Sequence, residues 1–304
     1  MDKENKEDQL GKINTEGVYK MRIDDNWNQE ALDIIKDIDY NVLIPTLNRH
    51  YSYDELKKFD LVATCTTGVD HLEIRDIPLI SLKGKTELLS SVYATAEHTM
   101  ALILSLVRNI PVAFDDVKKG NWDRERWQGT ELHGKTLGIV GYGRVGQQVA
   151  RFAEAFGMRI MAYDTAFSVS KSFKASPYFT KKLDGLLRNS DIITVHVPLN
   201  DETTGMFGIN QFAQMKPTAY FVNTSRGAVV NEDALVNILF HKLIAGAAID
   251  VVENEPHISH NLGSLAKCGK RLIITPHIAG NTTESREKTQ LFIANKIREY
   301  VNGL

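Results

Sequence analysis

The sequence predicts an α/β protein of two doubly wound parallel-sheet domains. Three observations carry this. Short β-branched runs alternate with helical patterns along most of the chain, as in parallel sheets whose strands are joined by helices. A glycine-rich G-x-G-x-x-G turn closes one of those strands and opens a helix. The length, 304 residues, suits two domains of ordinary size better than one.

Met1 to Asp8 is crowded with charges of both signs and has no apolar signal core, so residues 1–14 read as a solvated tail. Alternation runs from Val18 to Leu82. Strands are expected at Val42–Ile44, Leu61–Cys65 and Leu79–Leu82. A helix is expected over Trp27–Ile38 with Asn26 as its cap. Ser52-Tyr53-Asp54-Glu55 has capping-box spacing, which predicts another helix start. Thr95–Arg108 is a long, strongly apolar helix pattern. Gly120–Gly134 is polar but holds Trp122 and Trp127. Further strands are expected at Leu137–Val140, Ile160–Tyr163, Ile192–Val197, Ala219–Asn223, Gly246–Val251 and Leu272–Thr275, and a final helix over Thr283–Val301. No internal repeat is present.

Composition narrows the function. Hydrophobic residues make up 43% and charged residues 24%, and the formal net charge is −2. A near-neutral chain is a poor general binder of nucleic acid or acidic membranes. The two cysteines, Cys65 and Cys268, form no CxxC, which argues against a zinc ribbon, a disulfide framework or a thioredoxin-type site. That usage suits a reducing cytoplasm. The apolar run Met100–Leu104 is far too short to span a membrane.

The turn itself is Gly141-Tyr142-Gly143-Arg144-Val145-Gly146, at the end of Leu137–Val140. Gly141 permits the tight turn, Gly143 lets backbone approach a pyrophosphate, and Gly146 lets the helix pack close to the sheet. Amides at the helix start favour an anion. The helical pattern runs from Val145 through Phe156, and Gly157 is placed to stop it. Asp164 closes the next strand, 23 positions after Gly141, where a carboxylate accepts hydrogen bonds from ribose hydroxyls. The same charge repels a 2′-phosphate, which favours NAD over NADP. Lys171 and Lys174 downstream read as solvated loop residues.

Beyond the turn, five further stretches resemble the D-isomer-specific 2-hydroxyacid dehydrogenases, the family of phosphoglycerate dehydrogenase and glyoxylate/hydroxypyruvate reductase. They are Trp122-Asp123-Arg124 through Glu131-Leu132-His133-Gly134-Lys135; His196-Val197-Pro198-Leu199 with Glu202-Thr203; Asn223-Thr224-Ser225-Arg226-Gly227; Gly246 through Asp250 to Glu255-Pro256; and Thr275-Pro276-His277-Ile278-Ala279-Gly280. Order and spacing match from Leu61 to about Arg298, and residues before about Asn41 match only in general pattern.

The resemblance implies a Rossmann NAD-binding domain, residues 94–282, inserted into a flavodoxin-like substrate-binding domain, residues 15–93 and 283–304. It implies hydride exchange between NAD and C2 of a D-2-hydroxy or 2-oxo acid. The chemistry agrees with the residue types. A guanidinium forks onto a carboxylate and stays charged, an imidazole moves a proton near neutral pH, and a nearby carboxylate holds the imidazole and favours its protonated form. By resemblance, Arg226 holds substrate, His277 is the acid/base and Glu255 its partner. The cofactor would meet Gly141, Gly143, Arg144, Val145, Gly146, Asp164, His196, Val197, Pro198, Thr203, Thr224, Asp250 and Gly280, with Asp250 on the carboxamide. The amides of Thr67, Gly68 and Val69 would receive the substrate carboxylate, as in an anion nest. No metal is implied. Glu97 and His98 read as structural.

Relatives acting on phosphorylated substrates often carry a basic side chain just after the second strand. Here Pro45-Thr46-Leu47-Asn48 stands there, followed by Arg49 and His50, which puts 3-phosphoglycerate in doubt. The short chain after the last helix leaves no expectation of a C-terminal regulatory domain. The apolar helix and the two tryptophans point to a two-fold homodimer. Two other readings remain at this point, an NAD-sensing scaffold or corepressor on the same fold, and a dehydrogenase of formate or phosphonate type. Glu255 argues against formate, where that branch carries an amide.

Overall fold

The computed structural model describes residues 21–47, 49–165, 179–269 and 271–304. The predicted tail, Lys171 and Lys174 lie outside them. The chain forms two compact units, Met1–Val92 with Thr282–Leu304, and Tyr93–Asn281.

The first unit begins with β1 (Arg22–Ile23), α1 (Gln29–Ile35), β2 (Val42–Ile44), α2 (Tyr53–Leu56), β3 (Leu61–Ala63), β4 (Leu79–Ile80) and α3 (Thr86–Ser90). Its described strands pair in parallel in the order β1-β2-β3-β4. Side chains alternate between the two faces, as the strand period requires. Val42, Ile44, Leu61 and Ala63 pack with Ala31 and Ile35 of α1, whereas Leu43 and Val62 pack with Leu56 and Tyr51. The sheet is thus covered on both sides, which explains why these strands read as continuous apolar runs.

α1 is shorter than the expected helix. Asn28, not Asn26, caps it, its side chain accepting from the Ala31 amide at 2.8 Å. The Asn26 backbone carbonyl is instead bonded by Gln290 at 2.8 Å. The capping box at Ser52 and Glu55 forms as the spacing predicts.

The second unit runs α4 (Ala94–Val107), α5 (Ile110–Lys118), β5 (Thr136–Val140), α6 (Arg144–Ala155), β6 (Arg159–Tyr163), α7 (Leu183–Asn189), β7 (Ile192–Val195), α8 (Ile209–Phe212), β8 (Tyr220–Asn223), α9 (Glu232–Phe240), β9 (Gly246–Ile249), α10 (His260–Lys267) and β10 (Leu272–Ile274). The last helix, α11 (Thr283–Asn302), returns to the first unit. There its Ile293, Ala294 and Ile297 join the α1 face.

The second unit's six described strands are all parallel, in the order β10-β9-β8-β7-β5-β6. The chain leaves β6 at one edge, passes β5 and resumes at β7. That reversal creates a crevice outside the carboxyl ends of β5 and β7, where ligands of such sheets bind. α4 and α6 cover one face with Ile103, Leu106, Val149 and Ala153, and α7 to α10 cover the other.

Two elements carried no clear sequence signal. β1 is only two residues long. α5 follows α4 almost directly, separated by Asn109 in a left-handed conformation with φ 56°, and Pro111 opens the new helix. Five of the nine predicted strands end one or two residues early, and the other four end where predicted. No described helix is long and apolar enough to cross a membrane.

Candidate active site

The glycine turn lies between β5 and α6, at the reversal point. Gly141 has φ +91°, and a Cβ on it would come within 2.7 Å of the His196 backbone. A Cβ on Gly146 would sit 2.3 Å from the Gly141 carbonyl. Both glycines are therefore required by close packing. Gly143 differs, since a Cβ there would meet nothing within 4 Å. The space beside it is open, and as N-cap of α6 it offers no side chain to the first-turn amides. An exposed, uncapped helix start of this kind accepts a pyrophosphate. Asp164 shapes the turn from the next strand, its Oδ2 accepting from the Tyr142 amide at 2.7 Å.

His196 follows β7 against Gly141. Burial pushes its imidazole down to about 3, so it is neutral at physiological pH, and Nε2 is buried with no partner among the described residues. Val197 packs on the core. The Thr203 hydroxyl donates to the Pro198 carbonyl at 2.6 Å and accepts from the Asn200 amide at 2.9 Å. Thr203 thus shapes its own loop.

β8 ends at Asn223, whose side chain folds the next loop. It accepts from the Ser225 amide at 3.0 Å and donates to the Arg226 carbonyl at 2.9 Å. Gly227 must lack a side chain, because a Cβ there would lie 2.0 Å from the Val252 carbonyl. The Arg-Gly pair thus brings the arginine loop against the loop after β9. Arg226 is half-buried, with one guanidinium nitrogen 2.9 Å from the Ser225 carbonyl.

The loop after β9 carries Glu255, and the loop after β10 carries His277. Glu255 Oε1 accepts from the Val252 amide at 3.2 Å. Its Oε2 lies 2.6 Å from His277 Nδ1. A carboxylate accepts, so Nδ1 bears the proton and Nε2 is the nitrogen left for proton exchange. Nε2 makes no hydrogen bond among the described residues.

His277 has φ 53°, a left-handed conformation that costs a non-glycine residue roughly 1–2 kcal/mol. Asp250 holds it there. The Asp250 carbonyl accepts from the His277 amide at 2.8 Å. Its Oδ1 accepts from the Ile278 amide at 3.0 Å and its Oδ2 from the Ala279 amide at 2.8 Å. Thr275 Oγ1 donates to Oδ1 at 2.5 Å. His98, on α4, reaches the same pair, with Nε2 3.1 Å from Thr275 Oγ1 and 3.4 Å from Asp250 Oδ1. Burial opposes the Asp250 charge, but the bonds from His98, Thr275 and the two amides outweigh it and hold the carboxyl below its ordinary range. Both oxygens of the residue expected on the carboxamide are thus engaged by the chain itself. Thr224 is buried and bonded to Thr99 of α4 at 2.9 Å, and Gly280 is open, with nothing within 4 Å of a Cβ position. Sequence reading took His98 as structural. A single histidine in a helix carries no sign that it reaches a strand 177 positions away.

In the first unit, the loop after β3 is pinned by Thr66, whose hydroxyl donates to the Gly68 carbonyl at 2.7 Å. The amides of Thr67, Gly68 and Val69 donate to nothing among the described residues. Arg49 lies 3.9 Å over the Tyr51 ring and pairs with Glu55 at 2.9 Å and Asp24 at 3.7 Å. Tyr51 also donates to Asp24 at 2.7 Å. Asp24 also pairs with Arg22 at 2.7 Å, so in this cluster two arginines are balanced by two carboxylates.

Residues 100–279 match the family model for the D-isomer specific 2-hydroxyacid dehydrogenase, NAD binding domain. The chain belongs to the D-isomer specific 2-hydroxyacid dehydrogenases. It is 34% identical over 278 residues to the D-3-phosphoglycerate dehydrogenase of Methanocaldococcus jannaschii, covering 90% of this chain and 52% of that protein. It is 33% identical over 288 residues to the glyoxylate reductase of Pyrococcus furiosus, covering 90% of this chain and 83% of that protein. The chain spans about half the length of the phosphoglycerate dehydrogenases it matches. Among solved structures, the D-lactate dehydrogenase of Aquifex aeolicus complexed with NAD and lactic acid aligns at TM-score 0.74 and 29% identity, covering 89% of this chain and 85% of that one. The family's NAD-binding domain therefore coincides with the unit that holds the glycine turn, Arg226, Glu255 and His277.

Proposed function

We propose that this dehydrogenase family member reduces 2-oxo acids, or oxidises the matching D-2-hydroxy acids, with NAD(H), using Arg226, His277 and Glu255. The observation that carries the proposal is the 2.6 Å contact between His277 Nδ1 and Glu255. It fixes the ring and leaves Nε2 for the substrate oxygen. Bound NADH supplies hydride to C2. His277 Nε2–H hydrogen-bonds the substrate carbonyl and gives up its proton as the oxygen gains negative charge. Glu255 offsets the positive charge of the protonated ring. Arg226 holds the carboxylate and polarises the carbonyl. The Thr67–Val69 amides are assigned to the substrate carboxylate as well.

Gly141, Gly143, Arg144, Val145 and Gly146 are assigned to the pyrophosphate and Asp164 to the adenosine ribose. The open space at Gly143 and the uncapped helix start support a dinucleotide there. Residues 15–93 and 283–304 are assigned to substrate binding, residues 94–282 to the cofactor. The pairing of Arg49 with Glu55 and Asp24 leaves no net positive charge beside β2, which favours a substrate without a phosphate group. NADH consumption with glyoxylate, hydroxypyruvate, phosphohydroxypyruvate and larger 2-oxo acids tests this. Turnover should be found and be poorest with the phosphorylated acid. No turnover of any 2-oxo acid would refute the activity, and a preference for phosphohydroxypyruvate would refute the substrate class.

A homodimer is part of the same reading. α5 exposes Ile110, Phe114 and Val117 by about half of their surface or more, and Trp122 is 88% exposed. Ile110, Phe114 and Val117 recur at helical spacing on one face of α5, and a large exposed apolar face marks an interaction site; an obligate dimer commonly buries above about 2,000 Å². Light scattering at micromolar concentration should give a dimer mass, and a monomer alone would refute it.

A further inference from the structure

The network around Asp250 extends past the residues assigned to chemistry. His98 Nε2 lies within reach of both Thr275 Oγ1 and Asp250 Oδ1. The Thr275 hydroxyl proton is committed to Asp250 at 2.5 Å, and an ionised carboxylate only accepts. His98 Nε2 must therefore be the donor to Thr275 Oγ1, with its proton also facing Asp250 Oδ1 3.4 Å away. Asp250 in turn fixes three consecutive residues of the histidine loop, by its carbonyl at His277 and by its carboxylate at Ile278 and Ala279. The histidine side chain is partly buried on α4, so little solvent is available to replace the bond. An unmet acceptor in this place costs the full desolvation of the group.

We propose that His98 is a positioning residue for His277: through Thr275 and Asp250 it holds the 275–279 turn in the left-handed conformation that presents the imidazole to Glu255. The inference rests on the proposed oxo-acid chemistry for its effect on rate, but not for its effect on the loop. Asp250 then serves the acid/base residue directly, through its bonds to the loop that carries it. α4 thus reaches these loops through two polar side chains, His98 toward Thr275 and Thr99 toward Thr224.

Three variants test it in the full-length protein, His98→Leu, Thr275→Val and His98→Gln. Glutamine can place an amide donor near the position of Nε2, whereas leucine cannot. Hydrogen exchange of the peptide covering residues 275–281, read by mass spectrometry without cofactor, should be about ten-fold faster in His98→Leu and in Thr275→Val. It should return close to the unmodified rate in His98→Gln. In steady-state reduction of a 2-oxo acid, kcat should fall about ten-fold in both apolar variants, with KM for NADH little changed. The double variant His98→Leu/Thr275→Val should be no slower than the worse single variant, because the two residues act as one chain. Unchanged exchange in both apolar variants would overturn the proposal, as would an additive double variant. Faster exchange with unaltered kcat would also overturn it, reducing the network to a structural contact. An unmodified protein that turns over no 2-oxo acid would overturn the functional reading instead, and the exchange measurement would still decide the loop. If His98→Leu fails to fold, Thr275→Val and His98→Gln carry the same comparison.

Discussion

The glycine turn and the histidine loop are both strand exits in the same unit, yet they are built in opposite ways. The turn is shaped chiefly by the absence of side chains, with one bond from Asp164 to the Tyr142 amide. Gly141 and Gly146 are packed so closely that a Cβ on either would collide with backbone. The histidine loop is shaped largely by side chains, with Asp250, Thr275 and Glu255 reinforcing the backbone bonds at a strained residue. A backbone-built site is robust to remote change and sensitive to any added methyl. A site built from side-chain hydrogen bonds depends on residues scattered over the chain.

The largest effect expected is at the histidine loop. His277→Gln should lower kcat/KM for 2-oxo acid reduction by about 10²-fold or more, the scale of a missing general acid. NADH affinity and thermal stability should hardly move. A comparable loss of NADH binding in that variant would mean that the two regions are not separate.

At the glycine turn the prediction splits by position. Gly146→Ala places a methyl 2.3 Å from the Gly141 carbonyl and should cost about 1–3 kcal/mol of stability through overpacking. Gly143→Ala meets no protein atom and its φ of −73° suits alanine, so its melting temperature should match the unmodified protein. Its NADH affinity should nonetheless fall about ten-fold, because the methyl occupies space assigned to the pyrophosphate. Calorimetry with NADH titration separates the two. Unaltered affinity in Gly143→Ala would remove the pyrophosphate from this turn.

A third prediction concerns acid stability. His196 has a folded value of about 3 against an ordinary value near 6.5. The unfolded chain takes up a proton below about 6.5 while the folded chain does not until about 3. Its contribution to stability is therefore whole above neutrality and is lost as pH falls through that window, by at most about 1.4 kcal/mol per pH unit. Denaturant unfolding from pH 7 to pH 4 should show a shallower decline in His196→Gln than in the unmodified protein. Parallel declines would place the imidazole in contact with solvent.

The smallest effect should be cofactor choice. Asp164→Asn keeps an oxygen for the Tyr142 amide but removes the charge. It should narrow the preference for NADH over NADPH by several-fold while the turn stays intact. An unmodified protein that uses NADPH equally well would sink this assignment.

These differences also set what could be read in advance. The glycine turn was legible because a backbone requirement falls on residues a few positions apart, and only glycine meets it. The strands were legible because both faces of each sheet are buried. α5 was missed because the left-handed break at Asn109 has no strong local signature. The cap of α1 fell at Asn28 rather than Asn26 because Gln290 bonds the Asn26 carbonyl from a helix at the other end of the chain. The role of Asp250 in the loop, and that of His98 behind it, had no local trace.

The sequence by itself determined the two parallel-sheet units and the glycine turn, because each depends on periodicity or on short spacings along the chain. Only the tertiary structure decided which side chains meet. The left-handed turn held by Asp250, the donor from His98 and the contact of Arg49 with Asp24 join residues far apart in sequence. Hydrogen bonds form between neighbours in space, and the sheet order and helix packing that make those neighbours are set by the whole fold.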